Sequence, residues 1–270
     1  VDALRRLHQA FAERVPYETV AIQLDHPTTI DPLESADRIV RRGRGGYCFH
    51  LNGAFAALLT ALGYRVTMHH SGIQLTPDRE LAITRNHLAL TVHGLSDTPW
   101  LVDVGLGDGL HSPLPLVEGA YRQGPFTFRL RPSEIAPGGW RFDHDPRGSL
   151  HGMDFAAEPA HITDFADNHE FLSTSPESSF KATFSVLRTD ATGFDILRAL
   201  TLSRIEHETK RTVLDRPADW FAALADVFGL TLADLSPEER DRLWRKAVGQ
   251  HEAFLARQST VDEPVISNRW

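Results

Sequence analysis

Apolar residues recur every third or fourth position at the two ends of the chain and every second position through its middle, and this change of period organises the fold. Leu4, Leu7, His8 and Phe11 make an amphipathic helix over residues 2–14 that ends before Pro16. Pro16-Tyr17-Glu18 then reads as the start of a short irregular link. Asp31-Pro32-Leu33-Glu34 supplies an N-cap, a proline at the first helical position and a carboxylate in the first turn, which predicts a helix running towards Val40. A third helix carries Leu51, Ala54, Phe55, Leu58, Leu59 and Leu62, with Gly63 placed for a left-handed cap. After Gly63 the period drops to two. Tyr64, Val66 and Met68 alternate, and strand-like runs follow at 87–92, 100–104, 126–130, 140–142 and 180–187. Turn residues between them predict an antiparallel sheet or small barrel. From about residue 195 short strands are expected to give way to helices, one at 219–228 and one opened by the capping box Ser236-Pro237-Glu238-Glu239 and reaching Leu255. The last dozen residues read as a loose tail. The expected fold class is α+β.

With 270 residues, 41% of them hydrophobic, the chain can build a substantial core, in one large domain or roughly two to three smaller ones. No apolar run is long enough to span a bilayer and no signal-peptide pattern is present. The single cysteine, Cys48, forms no internal disulfide, so a reducing cytoplasm is the expected compartment. A formal charge of −8 argues against nucleic acid or an anionic membrane as the main partner. Arg38, Arg41, Arg42 and Arg44 form a local basic cluster upstream of Cys48 that suits a polyanionic ligand such as a phosphorylated cofactor. Arg38 and Arg41 read first as a solvated helix face. The chain starts at Val1, so an initiator residue and a short leading segment are expected before it.

Cys48 stands at the start of the third helix, after two glycines that let the backbone turn tightly. Unpaired N–H groups and the positive end of the helix dipole favour a thiolate there, below the thiol reference of about 8.5. A buried structural thiol is the competing reading. A cysteine nucleophile also needs a base and a group to orient that base. His87 begins one strand and Asp103 ends the next, and a hairpin symmetric about Leu95 sets the two face to face. Asp103 lies among Leu101, Val102 and Val104, where a carboxylate without a donor is costly, and an imidazole N–H suits it. Gly105, Gly107 and Gly109 follow at alternate positions and expose backbone N–H groups to a phosphate or an oxyanion, with a plain turn as the alternative. His69-His70 and Asp143-His144-Asp145 offer rival sets, which their polar surroundings mark as exposed turn or strand residues. No metal is expected, because no cysteine accompanies these pairs and no helical His-x-x-x-His spacing occurs.

Arg44-Gly45-Gly46-Tyr47-Cys48-Phe49 with Asn52-Gly53 resembles the nucleophile signature of the arylamine N-acetyltransferases. Asn86-His87-Leu88 and Trp100-Leu101-Val102-Asp103-Val104-Gly105 resemble the segments that carry that family's histidine and aspartate. Pro16-Tyr17-Glu18-Thr19 is similar to its Pro-Phe-Glu-Asn element, and Ser173-Thr174-Ser175-Pro176 through Ser179-Phe180 to a further motif. The resemblance implies an N-terminal helical domain (1–64) holding the nucleophile, a central antiparallel β-barrel (65–188) holding His87 and Asp103, and a C-terminal α/β lid (189–270), with a papain-like Cys-His-Asp core. It implies that Cys48 takes acetyl from acetyl-coenzyme A and passes it to an arylamine or hydrazine. Tyr17, Leu106 and Phe180 are expected as pocket wall, with ordinary core packing as the alternative for each, and Arg44, Gly105 and Gly107 are expected on the donor side. Two positions depart from the pattern: His50 stands where Glu or Gln is common, and Leu106 where the loop usually has an aromatic. These departures keep open an amide synthase that takes a longer acyl chain from an acyl carrier protein. A cysteine hydrolase and a catalytically silent binding protein are the rivals from other classes.

Overall fold

The structure is a computed structural model and describes residues 1–259. Helix α1 (Asp2–Arg14) turns Leu4, His8 and Ala12 inward at intervals of one turn. Strand β1 (Tyr17–Glu18) and the one-turn helix α2 (Val20–Gln23) stand where an irregular link was expected. Helix α3 (Pro32–Arg42) begins as its sequence predicts: Asp31 Oδ1 accepts the N–H groups of Leu33 and Glu34, both at 2.9 Å. Helix α4 (Cys48–Ala61) is buried at every position from Cys48 through Ala56. It is apolar all round and so occupies the centre of the molecule. Gly63 follows it at φ 85°.

Eight strands come next: β2 (Arg65–Gln74), β3 (His87–His93), β4 (Trp100–Val102), β5 (Leu114–Pro115), β6 (Gly119–Gln123), β7 (Phe126–Pro132), β8 (Trp140–Asp143) and β9 (Gly152–Ala160). They pair antiparallel in the order β5-β4-β3-β2-β9-β8-β7-β6 as a nearly closed, barrel-like sheet. In β7 the alternation is plain, with Phe126, Phe128 and Leu130 inside and Thr127 and Arg129 outside. Strand β3 is buried on both faces: Ala89 joins the barrel interior with Phe128 and Phe142, while Leu88, Leu90 and Val92 pack on Phe49 and Phe55 of α4. That contact brings the nucleophile helix against the strand carrying His87.

Helices α5 (Ala166–Thr174) and α6 (Ser179–Ala182) lead to β10 (Ser185–Thr189), β11 (Phe194–Arg198), β12 (Thr201–Ile205) and β13 (Thr209–Val213), and the chain continues through α7 (Pro217–Asp226) and α8 (Pro237–Ser259). The second sheet has the order β1-β10-β11-β12-β13. Val186 and Leu197 on one of its faces pack under Trp220, Leu224 and Leu243 of the last two helices, and Leu187 and Ile196 on the other join the barrel core.

Three expectations need correction here. The single run at 180–187 is a helical turn followed by a strand, because the Ser178 hydroxyl accepts the Phe180 N–H at 3.1 Å and starts α6. Strands persist to Val213 rather than yielding near residue 195. β11 is buried on nearly all sides and β13 is exposed throughout, so neither shows the alternation that marks a strand in sequence. His69, His144 and Asp145 are buried rather than exposed: His69 lies in β2 with Nε2 2.7 Å from the Thr91 hydroxyl, and His144 lies with its ring nitrogens 2.9 Å from the Asp108 and Asp145 carbonyl oxygens. The tail lies, from residue 260 on, outside the described residues.

Candidate active site

The turn into α4 rests on contacts that only glycine allows. Gly46 bridges Tyr17, its carbonyl accepting the Glu18 N–H at 2.9 Å, and a Cβ on Gly45 would stand 1.8 Å from the Pro16 carbonyl oxygen. Cys48 is thereby the first residue of α4, and its thiol donates to the Asn86 carbonyl at 3.7 Å. The Tyr47 N–H donates to His50 Nδ1 at 3.3 Å, so the unusual histidine caps its own helix. Burial, then the charges of Arg38 and His169, holds His50 well below the ordinary histidine range, and it adds no positive charge beside the sulfur.

His87 opens β3, and Asp103 directly follows β4. The pairs Leu90–Val102 and Val92–Trp100 centre the hairpin on Ser96 rather than Leu95. That moves each partner by two residues, and because side chains alternate with period two, His87 and Asp103 keep to one face as diagonal neighbours. His87 Nε2 donates to Asp103 Oδ2 at 2.7 Å. Asp103 Oδ1 accepts from the Asn52 amide and from the Gly105 N–H, both at 2.9 Å. Asn52, one turn beyond Cys48, also donates to the Leu88 carbonyl at 2.6 Å and accepts the Val104 N–H at 2.9 Å. From the other side, the Asp103 N–H donates to His8 Nε2 at 3.2 Å; burial pushes His8 down to about 4 and leaves it a neutral acceptor.

Burial opposes a charge on His87, but the charge and hydrogen bond of Asp103, followed by the hydrogen bond and charge of Cys48, outweigh it and push the imidazole up to about 10. A ring that keeps its proton at neutral pH thus stands between a sulfur and a carboxylate. Cys48 and His87 open onto a cavity of about 280 Å³, with Asp103 behind them. The expected wall residues Tyr17, Leu106 and Phe180 all line it, together with Leu172 and Arg198. Gly105 lines it too, and a Cβ there would stand 2.9 Å from Cys48 Cα and 2.7 Å from the Asn52 amide nitrogen.

Arg44 and Gly107 are not brought to this cavity. Arg44 is buried with Nε 3.2 Å from Glu18 and Nη1 3.0 Å from Asp234, so its guanidinium is engaged inside the fold rather than offered to a phosphate. Gly107 packs behind the wall, where a Cβ would meet Leu187 at 2.9 Å. Among the described residues, no group of three or more His, Cys, Asp or Glu could hold a metal, and no helix is long and apolar enough to cross a membrane. Sequence reading passed over the role of Asn52, although its place four residues after Cys48 puts both on one helix face. It also passed over His8, which reads as an ordinary amphipathic position, and Arg198, in a strand without alternation.

The family model for N-acetyltransferase matches residues 1–236. The arylamine N-acetyltransferase of Mycobacterium tuberculosis is 30% identical over 98% of this chain and 93% of its own length. Human arylamine N-acetyltransferase 1 is 28% identical over 67% of this chain and 68% of its own. Among solved structures, the Mycobacterium marinum arylamine N-acetyltransferase in complex with CoA superposes with a TM-score of 0.82 at 26% identity, over 91% of this chain and 92% of that one. The Mycobacterium abscessus enzyme superposes at 0.80 with 27% identity, over 92% and 88%. In sequence and in fold alike, this chain belongs to the arylamine N-acetyltransferase family.

Proposed function

We propose that the protein transfers acetyl from acetyl-coenzyme A to an aromatic amine or hydrazine in two half-reactions through a Cys48 thioester. The observation that carries this reading is the 2.7 Å contact of His87 with Asp103 behind a cavity onto which both Cys48 and His87 open. In the first half-reaction, the Cys48 thiol gives its proton to His87, its sulfur attacks the thioester carbonyl, and the leaving coenzyme A thiolate takes that same proton from His87. In the second, the amine attacks the acetyl carbonyl on Cys48, His87 takes the amine's proton, and the Cys48 sulfur leaves. Asp103 keeps Nε2–H of the ring turned to itself and the other nitrogen towards the sulfur, and backbone N–H groups at the start of α4 stabilise each tetrahedral oxyanion. The coenzyme A held by the M. marinum relative supports the donor. A lone nucleophilic thiol works where thiols stay reduced, which supports a cytoplasmic setting.

Intact-mass measurement after mixing with acetyl-coenzyme A tests the scheme. One acetyl is expected on the wild-type chain and none on Cys48→Ala, and adding an arylamine should discharge it as the N-acetyl product. Labelling of both chains removes Cys48 from the reaction, discharge at the same rate without amine identifies a hydrolase, and uptake only of longer acyl groups from a carrier protein identifies an amide synthase.

A further inference from the structure

Arg198 ends β11, and the ladder fixes where it points. Tyr17 pairs with Leu187, Leu187 with Ile196, and Ser185 with Arg198, so these five residues share one face of the second sheet. The opposite face, with Val186 and Leu197, is closed by the last two helices. Tyr17, Ser185, Leu187 and Arg198 accordingly line the cavity of Cys48 and His87.

Arg198 is half-buried, and the two arginines that lie almost wholly out of water among the described residues, Arg44 and Arg141, are tied to acids. Arg44 meets Glu18 and Asp234, and Arg141 meets Asp143 and Asp154. The Arg198 guanidinium has no hydrogen bond or ion pair among the described residues; Asp108 and Tyr17 act on it only through space. The Asp108 carboxylate is itself engaged, accepting the Ser149 N–H at 2.6 Å and the Ser149 hydroxyl at 2.8 Å. Among the described residues, no Asp or Glu lines the cavity. Past Arg198 and Ser149 it adjoins a smaller space of about 60 Å³, lined by Thr201, Ser203 and Arg211 and also free of acids. A guanidinium carries five N–H donors in a planar fork that matches a carboxylate, and withdrawing it from bulk water without an acceptor is costly.

We infer that Arg198 anchors a negatively charged group on the acyl acceptor, so that the amines this enzyme prefers carry a carboxylate on the ring. The inference rests on the proposed acetyl transfer at Cys48 and names the class of amine it serves. A benzene ring carrying an amine and a carboxylate is small enough for a cavity of about 280 Å³. The phosphates of coenzyme A are separated by a full pantetheine arm from the carbonyl that Cys48 attacks, and the pair of donors below tests them as the alternative anion.

The test compares wild type with Arg198→Met and Arg198→Lys. Acceptors are 4-aminobenzoate and uncharged 4-methylaniline, and donors are acetyl-coenzyme A and uncharged p-nitrophenyl acetate. In Arg198→Met, the kcat/KM preference for 4-aminobenzoate over 4-methylaniline should fall about 10- to 100-fold, mainly through KM, while the preference between donors in acylating Cys48 stays within about twofold. Arg198→Lys, which keeps the charge and loses the fork, should fall between. An acceptor preference unmoved in both variants overturns the assignment. A loss confined to acetyl-coenzyme A also overturns it and makes the donor's phosphate the anion. Calorimetric binding of the two amines gives a readout that needs no turnover. If Cys48 takes up no acetyl, the proposed reaction fails on its own, while weaker 4-aminobenzoate binding by Arg198→Met still supports the anion site and equal binding by both chains sinks it.

Discussion

His87 is protonated because of what surrounds it, and the consequence can be read in stability as well as in activity. Below the ordinary histidine value of about 6.5 the ring is charged in folded and unfolded chains alike, and the stabilisation by Asp103 is fully present. Between there and about 10 only the folded chain holds the proton, so this contribution declines as pH rises and is gone above about 10. Urea unfolding of wild type and Asp103→Asn should therefore differ most near the acid end of the range pH 6–10 and converge towards its alkaline end. A gap that stays constant removes the His87–Asp103 charge pair as its cause. Acetyl transfer by Asp103→Asn should fall by about 100-fold or more, since the ring loses the acceptor that fixes its tautomer. The pairing itself was legible from two features of the sequence, a histidine opening one strand and an acid enclosed by Leu101, Val102 and Val104 ending the next. The hairpin centre was one residue out. The contact survived because an error of two in partner position preserves the face.

At the scale of elements, α4 and the loop after β4 act as one unit. Asn52 reaches from the helix to Asp103, to the Leu88 carbonyl and to the Val104 N–H, so Asn52→Ala leaves a buried carbonyl and a buried N–H without partners. The expected cost is about 2–4 kcal/mol in urea unfolding, with acetyl transfer lowered because Asp103 is less firmly held. Gly105 is the reciprocal constraint. With a Cβ 2.9 Å from Cys48 Cα, Gly105→Ala must push the loop off the helix, and acylation of Cys48 should slow while far-UV circular dichroism stays that of the wild type. Elements with a one-sided environment were readable from sequence: α3 from its cap and proline, β7 from strict alternation. β11, enclosed on nearly all sides, and β13, exposed throughout, carry no such signature. The two-residue strand β1 is defined only by distant partners, Gly46 and Ser185–Thr189. Arg198 escaped notice because β11, which it ends, shows no alternation.

Across the whole molecule, the segment before the nucleophile is tied to the C-terminal part by charge. Arg44 lies between Glu18 and Asp234, with both the arginine and the glutamate almost wholly out of water, and Glu18 also accepts the Val20 N–H at 2.6 Å. The cluster of arginines upstream of Cys48 gave no means of distinguishing this one from a phosphate contact, because its partners lie 26 and 190 residues away. The two roles lead to different outcomes. As a donor contact, Arg44 would on replacement raise the KM for acetyl-coenzyme A with little change in stability. As an internal tie, its loss leaves the buried Glu18 carboxyl without its ion-pair partner, which costs about 3–5 kcal/mol in urea unfolding. We expect the second result for Arg44→Met, and partial recovery in the double variant Glu18→Gln/Arg44→Met, where the stranded carboxyl is gone. Unaltered unfolding together with a raised KM for the donor would instead return Arg44 to the binding surface.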